Sequence, residues 1–469
     1  MSIFINREEE LSALEAKYKS NKAEFIIMYG RRRVGKTELI KQFCIGKKHT
    51  YYLSTKSNDL EQMKLIVKRI SDSLNDRTPE INSWNEFFQY LQDKSKNERI
   101  VLAIDEYPYL LSANSAISSI FQAGWDEYLK KTKVFLILCG SSISVMESEL
   151  SSKSPLYGRR TGQIRVEPFL FKDSIKFFPN YDIFNKIYSY GILGNVPLYL
   201  MEFSDKKNIL SNIADSLLKK DSILYEEPIF LLREELREPE LYSKIFEAIS
   251  EKGAKMVDIS AKTKIDQHKL PKYLGVLKKL NYIDVLTPVT IKKPKSKQTL
   301  YVIKDNFFKF WYKYVYPNKS EIEGGDKEKV IAIIKSQLDQ YTSFIFEDIC
   351  KQWFKELNRK NKLPIYFNKV GTWWGHTRIL SDSGSERKEL EIDIVCLDEN
   401  KQEALFTECK WSNINYGEAK KVLEALKEKS KFVDWTRKKE YFCIVAKEIK
   451  DKKKLRKEGF LAFDLEDFD

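Results

Sequence analysis

The chain has 469 residues, 42% of them hydrophobic and 13% aromatic, with a formal net charge of +13 and a pI near 9.0. That length exceeds what one core usually holds, the apolar share excludes a disordered chain, and no apolar run nears the ~20 residues that span a bilayer. The basic balance points to an anionic partner, nucleic acid ahead of membrane, with a lysine-rich surface serving solubility as the alternative.

In chain order, Phe4 to Leu11 opens a helix running to about Ser20, with Asn6 expected as its N-cap and Glu9 completing a capping-box-like pattern. Phe25 to Tyr29 reads as a strand, and Glu38 to Phe43 as the first turns of a helix. Between them, Gly30-Arg31-Arg32-Arg33-Val34-Gly35-Lys36-Thr37 fits G-x-x-x-x-G-K-[ST] in its proper strand–loop–helix setting. Such a loop cradles phosphates: backbone N–H groups and the helix N-terminus, including Glu38, surround them. Lys36 is expected to reach the β and γ phosphates of ATP, and Thr37 to ligate Mg²⁺.

His49 to Leu53 reads as a second strand, with helical periodicity from Asp59 to Leu74 and again around Trp84 to Gln92. The run Ile100 to Ile104 is continuous and apolar and ends in Asp105-Glu106, the pattern of a buried parallel strand feeding a Mg²⁺ site. Asp105 is expected to serve the ion, Glu106 to polarise the attacking water, and the chemistry to be ATP hydrolysis. Val134 to Cys139 is a further strand, expected between the two motif strands, and Ser141 or Ser142 at its end is a candidate for touching the γ-phosphate or water. An ordinary turn serine is the alternative. Arg159 and Arg160, in Leu156-Tyr157-Gly158-Arg159-Arg160, are candidate arginine fingers, with salt-bridging or nucleic-acid contact the competing reading. A finger acting in trans requires a homo-oligomer.

These stretches, with Phe4 to Glu8 and Gly194-Asn195-Val196-Pro197-Leu198-Tyr199, resemble the archaeal-type ATPase family of the AAA+/STAND branch of P-loop ATPases. The resemblance implies an N-terminal segment near adenine, a helical lid, and Gly194 to Tyr199 close to the nucleotide. The family often has Gly-Gly at the start of that last motif, and Asn195 replaces the second glycine here.

Leu241 to Ser250, Val257 to Thr263 and a third helix capped by Asp266 form a tri-helical rhythm, followed by strands Tyr282 to Leu286 and Thr299 to Ile303. That is a helix-turn-helix with a wing, the wing being the lysine-rich Lys292 to Lys297. Gln267, His268, Lys269, Lys272 and Lys278 are expected on the recognition helix, facing DNA ahead of RNA. Protein contact, or service as a lid, is the alternative. The aromatic run Asp305 to Tyr316 reads either as a stacking platform for single strands or as a buried docking helix, and the polar run 318–329 as a linker.

Beyond a helical stretch Val330 to Leu357, Glu391 to Leu397 and Ala404 to Trp411 read as antiparallel strands. Glu408 and Lys410, two apart on one strand, share a face. Asp393 and Glu408 can hold Mg²⁺, and Lys410 can orient water or offset charge on a phosphate. Asp393, then Glu408-x-Lys410, with Glu347 on the preceding helix, resembles the PD-(D/E)xK nuclease fold, a tail that accompanies many archaeal-type ATPases. Gly371-Thr372-Trp373-Trp374-Gly375 and Glu408 to Trp411 look like its pattern.

The expected class is therefore α/β: a P-loop NTPase parallel sheet (1–170), a helical lid (171–238), a winged helix-turn-helix (239–317), a linker (318–329) and a restriction-endonuclease-like domain (330–469). The expected function is ATP hydrolysis gating a metal-dependent nuclease-like tail; a DNA-binding or regulatory scaffold with a non-cleaving tail is the alternative. Six scattered cysteines, three histidines and no Cys-x-x-Cys pair argue against a disulfide frame or zinc site. With no signal-peptide pattern, a cytoplasmic protein is expected.

Overall fold

Strand β1 (Glu24–Tyr29) is buried at every position, and its side chains divide between two cores. Phe25, Ile27 and Tyr29 meet Met63, Ile66, Trp84 and Phe87 on one side, while Ile26 and Met28 meet Leu14, Leu39, Ile40 and Phe43 on the other. This two-sided burial is what a parallel strand covered by helices on both faces requires. The computed structural model describes residues 4–291, 298–381 and 384–468. Contacts divide these into two compact units: the first holds residues up to Phe169 together with Val196–Leu198, and the second holds the remainder.

In the first unit β1 joins β2 (His49–Leu53), β3 (Val101–Asp105), β4 (Phe135–Gly140) and β5 (Gly162–Arg165) in one sheet of order β2-β3-β4-β1-β5. Every pairing is parallel, and β4 lies between the two motif strands as expected. Helices α1 (Glu8–Lys19) and α2 (Lys36–Cys44) pack on one face, and helices Asp59–Leu74 and Trp84–Ser95 on the other. Gly124 permits a close approach there, since a Cβ would lie 2.3 Å from the Phe88 ring.

The start of α1 differs from expectation. Arg7, not Asn6, precedes the helix, and both residues have positive φ (58° at Asn6, 80° at Arg7). The cause is the inward pull on Arg7, whose guanidinium donates to the Val34 carbonyl at 2.9 Å. Glu8, Glu9 and Glu10 then occupy the first turn, where the positive helix end favours them.

The second unit begins with helices, including Ile183–Leu193 and Ile223–Glu235. Then come α3 (Pro239–Ile249), α4 (Met256–Thr263), α5 (Leu270–Lys279) and the antiparallel pair β6 (Ile283–Leu286) and β7 (Leu300–Ile303). Ala254 bridges to Tyr301, adding a third short segment to that pair. Asp266 does not cap α5. Its carboxylate accepts from the His268 N–H at 2.8 Å, so Gln267, His268 and Lys269 form a turn before the helix. Pro271, at the first turn, has no N–H and crowds the carbonyl four residues back, which stops the helix from extending upstream. The lysine-rich wing, 292–297, lies outside the described residues.

The aromatic run is a buried helix, not a platform. Phe307, Phe308, Phe310, Trp311, Tyr312 and Tyr314 are all inaccessible, and the Trp311 indole N–H donates to the Tyr225 carbonyl at 2.8 Å. Nor is 318–329 an open linker. A short helix, Lys319–Gly324, buries Ile322, and Lys327 already begins the long helix α6 (Lys327–Arg359). Polarity misleads there because Lys319 pairs with Glu226, anchoring the segment through its charges.

The tail sheet comprises β8 (Lys369–Ser381), β9 (Gly384–Asp398), β10 (Glu403–Ile414), β11 (Lys439–Ile449) and β12 (Leu461–Phe463) in the order β12-β11-β10-β9-β8. The β8–β9 and β9–β10 pairs are antiparallel, and the β10–β11 and β11–β12 pairs parallel. Helix α7 (Tyr416–Ser430) makes the crossover from β10 to β11. Among the described residues no helix is long and apolar enough to cross a membrane.

Replacing Trp311 by Ala should cost roughly 3–5 kcal/mol in chemical denaturation of the full chain, the range for a fully buried large aromatic. A cost below ~1 kcal/mol would instead fit an exposed stacking surface.

Candidate functional site

The loop after β1 turns tightly. Gly35 has φ 93° and Arg33 φ 68°, and a Cβ on Gly30 would fall 2.2 Å from the Val166 carbonyl oxygen. Lys36 follows at the head of α2, buried, its ammonium donating to the carbonyls of Gly30 (3.0 Å) and Arg31 (2.9 Å). Burial pushes this amine below its ordinary pKa, against the nearby carboxylates of Glu106 and Asp105. Val34 is wholly buried. Glu38, by contrast, forms a surface pair with Lys41 at 2.9 Å, so its side chain is turned to its own helix.

Strand β3 carries Asp105 to the same place. One of its oxygens accepts from the Thr37 hydroxyl at 2.7 Å and from the Tyr51 hydroxyl at 2.8 Å, and the other from the Glu106 N–H at 2.9 Å. Thr37 and Asp105 thus converge as hard oxygen donors, the set that suits Mg²⁺. Glu106 leaves the strand with φ 52°, and its carboxylate accepts from the Ser141 hydroxyl at 2.9 Å and N–H at 3.4 Å. Ser141 is therefore the serine that joins the cluster, whereas Ser142 precedes helix Ile143–Leu150 without a side-chain cap. Tyr51 is an addition to the residues expected from the sequence. Its signal is its register on β2 beside β3, where it pairs with Ala103, and burial followed by Asp105 raises its pKa.

Pro197 also reaches the loop, its ring 3.9 Å from a Cβ built on Gly35. Asn195 has no such neighbour described. Arg159 is held by Asp126 at 3.1 Å, and Arg160 donates to the Leu150 carbonyl at 3.2 Å. The salt-bridging reading is the one seen for Arg159, and neither arginine is hydrogen-bonded to the loop cluster.

A second cluster lies in the tail, in a cleft of about 580 Å³ lined by Glu391, Asp393, Glu408, Lys410 and Lys429 among others. Asp393 sits mid-β9, and one of its oxygens accepts from the Cys409 N–H at 2.8 Å. Glu408 on β10 is buried, with Lys410 at 3.1 Å on one oxygen and Lys429 at 2.7 Å on the other. Glu347 comes from α6, and one oxygen each of Glu347, Glu391 and Asp393 lie within 4.8 Å of one another. All four expected residues are brought together. Glu391 and Lys429 are additions; the legible signal for Glu391 is the Glu391-Ile392-Asp393 spacing, which places both acids on one strand face.

Crowded, poorly solvated carboxylates resist ionisation. Enclosure, with Asp393 nearby, pushes Glu347 up to about 8; enclosure, with Glu408 nearby, pushes Asp393 up to about 6. Lys410 moves the other way from what burial alone would do, because Glu408 and Asp393 hold its amine above the ordinary value.

Residues 4–203 match a family described as an ATPase domain predominantly from Archaea, and residues 311–422 match a family described as archaeal and bacterial proteins of unknown function. The second span contains Glu347, Asp393, Glu408 and Lys410. An uncharacterized protein of Methanocaldococcus jannaschii, MJECL04, is 38% identical over 467 residues, covering 99% of this chain and 100% of the relative. An uncharacterized ATP-binding protein of the same organism, MJ0423, is 63% identical over 46 residues, 10% of this chain and 78% of its own. Among solved structures, the Walker-type ATPase PABY2304 of Pyrococcus abyssi shares the fold, with a TM-score of 0.50 and 21% identity over 66% of this chain and 96% of that one.

The raised pKa of Glu347 gives the pH dependence of stability a sign. A carboxyl that keeps its proton in the folded state up to about 8, against an ordinary value of 4.5, binds more protons folded than unfolded across that window. Stability then falls as pH rises through it. Glu347→Gln should remove this slope, so denaturation of the two proteins should diverge progressively between about pH 5 and pH 8, the variant becoming relatively more stable. A difference independent of pH would refute the account.

Proposed function

The chain belongs to a family of P-loop ATPases found predominantly in Archaea, and from that premise we propose that it is an ATP-driven switch whose tail is a metal-dependent nuclease acting on DNA. The family carries the ATPase part; the roles of individual residues and the chemistry of the tail are argued from the two clusters.

Lys36 is in place to exchange its two loop carbonyls for phosphate oxygens, and the loop N–H groups and the head of α2 face the same charge. Thr37 and Asp105 would hold Mg²⁺, which when bound neutralises charge developing on the phosphates. Glu106 is the base that orients and deprotonates the attacking water, and Ser141 keeps its carboxylate aimed. Pro197 beside Gly35 makes the Gly194–Tyr199 stretch a reporter of the loop's state. To act as fingers, Arg159 would have to release Asp126 and Arg160 the Leu150 carbonyl.

The reading of a winged helix is supported by three helices, α3 to α5, followed by the antiparallel β6–β7 pair. Its Lys272 and Lys278 lie on α5, which suits phosphate contact, and contacts of that kind position a protein without reading sequence. The net charge of +13 fits a polyanionic partner.

One observation carries the tail's reading: the cleft that gathers Asp393, Glu408 and Lys410 on neighbouring strands, with Glu347 arriving from α6. All-oxygen donors suit Mg²⁺ or Mn²⁺. The metal, when bound, would supply Lewis-acid activation of water and phosphate. Asp393 and Glu347 would anchor it, and Lys410 would hold the phosphate or the water.

The test is cleavage of plasmid, linear duplex and single-stranded substrates with Mg²⁺ or Mn²⁺, with and without ATP. Cleavage should vanish in Asp393→Ala and change in Lys36→Ala. ATP-dependent retention of DNA without cutting, unchanged by Asp393→Ala, would favour the scaffold instead. Separately, Glu106→Gln should lower ATP turnover by ~10²–10⁴-fold while leaving ATP binding intact; equal loss of both would remove Glu106 from the role of base.

A further inference from the structure

In the tail cleft, the residue pattern and the geometry divide the acids differently. A pattern of Asp393 followed by Glu408-x-Lys410 pairs Asp393 with Glu408 around the ion. In the structure both carboxylate oxygens of Glu408 are already engaged, one by Lys410 at 3.1 Å and the other by Lys429 at 2.7 Å, and its side chain is only 4% exposed. An ion bound there would sit beside two ammonium groups held on the same carboxylate, and their positive charge opposes a cation.

The open donors lie on the other side of Asp393. Glu391 precedes it by two residues on β9 and so projects from the same strand face. Glu347 reaches the pair from α6, and one oxygen of each of the three lies within 4.8 Å of the others. Glu347 is mostly enclosed by protein and, among the described residues, accepts no hydrogen bond. An enclosed carboxylate with no donor, aimed at two others, is a group left for a cation to satisfy. Asp393 has one oxygen committed to the Cys409 N–H and the other free of that bond.

We propose that Glu347, Glu391 and Asp393 form the divalent-cation site of the tail, and that Glu408 is a positioning residue that holds Lys410 and Lys429 beside it. This rests on the reading of the tail as a metal-dependent module and changes which residues do the work. Lys429 has a second tie, donating to the Glu391 backbone carbonyl at 3.0 Å, so it spans from Glu408 to the strand that carries two of the three ligands. The cleft then has an acidic half for the ion and a basic half for the phosphate it would activate. Two lysines fixed by one buried carboxylate give an anion a geometry that mobile surface lysines do not.

The test is binding of Mn²⁺ alone to the full chain, without nucleotide, followed by calorimetry or by the electron paramagnetic resonance of free Mn²⁺. Subtracting variant from wild type isolates the tail site. Glu391→Gln and Glu347→Gln should each weaken Mn²⁺ on the order of 10-fold or more, as loss of a ligand does, whereas Glu408→Gln should stay within about threefold. Glu408→Gln should nonetheless lose cleavage and shift its pH profile, because Lys410 and Lys429 lose their anchor. Should Glu408→Gln fail to fold, Lys429→Gln makes the same comparison, again with Mn²⁺ affinity retained. Mn²⁺ affinity unchanged in Glu391→Gln, or lost in Glu408→Gln as fully as in Asp393→Asn, overturns the assignment. Cleavage that survives Glu391→Gln with unchanged Mn²⁺ affinity would fell this site and leave the nuclease reading. Mn²⁺ held by the three acids with no cleavage of any substrate would do the reverse.

Discussion

The second unit is assembled around a helix that is aromatic over most of its surface, Lys309 and Lys313 marking its one basic face. Asn306–Phe310 and its continuation to Val315 bury Phe307, Phe308, Phe310, Trp311, Tyr312 and Tyr314, and so broad an apolar surface is stable only inside other structure. Its aromatics therefore reach neighbours on several elements. Phe307 packs on Tyr199, Phe308 on Tyr282 and Phe246, and Phe310 on Tyr341 of α6. Tyr312 stacks on Phe246 and shares a hydrogen bond with Ser243, both on α3. The helices that precede α3, the helices α3 to α5 and the long helix α6 are thus fastened to one piece. The module is also tied directly to the tail: Val289, just past β6, buries itself among Trp373, Ile392 and Val395, and its N–H donates to the Thr372 carbonyl. Val289 is therefore part of the tail's core.

Asp105 ends a strand buried on both faces, whereas Asp393 and Glu408 lie within longer strands, and the two clusters meet their charge differently. At Asp105 the solution is dense pairing: two hydroxyls and an N–H satisfy the carboxylate. In the tail the solution is segregation. Glu408 takes two lysines, while Glu347 and Asp393 are left crowded and resist ionisation. The first arrangement stabilises charge without a ligand. The second keeps an electrostatic cost in the folded state.

Much of this is legible in the sequence for an identifiable reason. The central strands of the first unit are buried on both faces, so their apolar runs are continuous, and β2 falls at His49 to Leu53, where the pattern puts it. Lys36, Thr37, Asp105, Glu106, Asp393, Glu408 and Lys410 can be found because fixed spacing on a strand or loop fixes their direction. What fails depends on partners distant in sequence. Arg7 displaces Asn6 at the head of α1 because of Val34; the polar run 318–329 folds because of Glu226. The aromatic run cannot be decided locally, since burial and exposure use the same residues there. Glu391 is hidden by its own strand, where an acid at alternate spacing looks like an ordinary solvent-facing residue until Glu347 arrives from α6.

One stretch of chain passes between the two units. Helix Ile183–Leu193 runs directly into Val196–Leu198, which belong to the first unit and set Pro197 against Gly35 of the phosphate loop. Within the second unit the same helix presents Phe184 and Tyr188 to Trp411, the residue after Lys410. Asp339 accepts from both the Tyr188 hydroxyl, at 2.6 Å, and the Trp411 indole, at 3.0 Å, and Phe346, one residue before Glu347, lies against the same indole. Trp411 is thus held by helix Ile183–Leu193 and by α6, the helix that carries Glu347. Lys410 and Glu347, next in sequence to Trp411 and Phe346, are thereby set by the same packing that fixes the Trp411 indole.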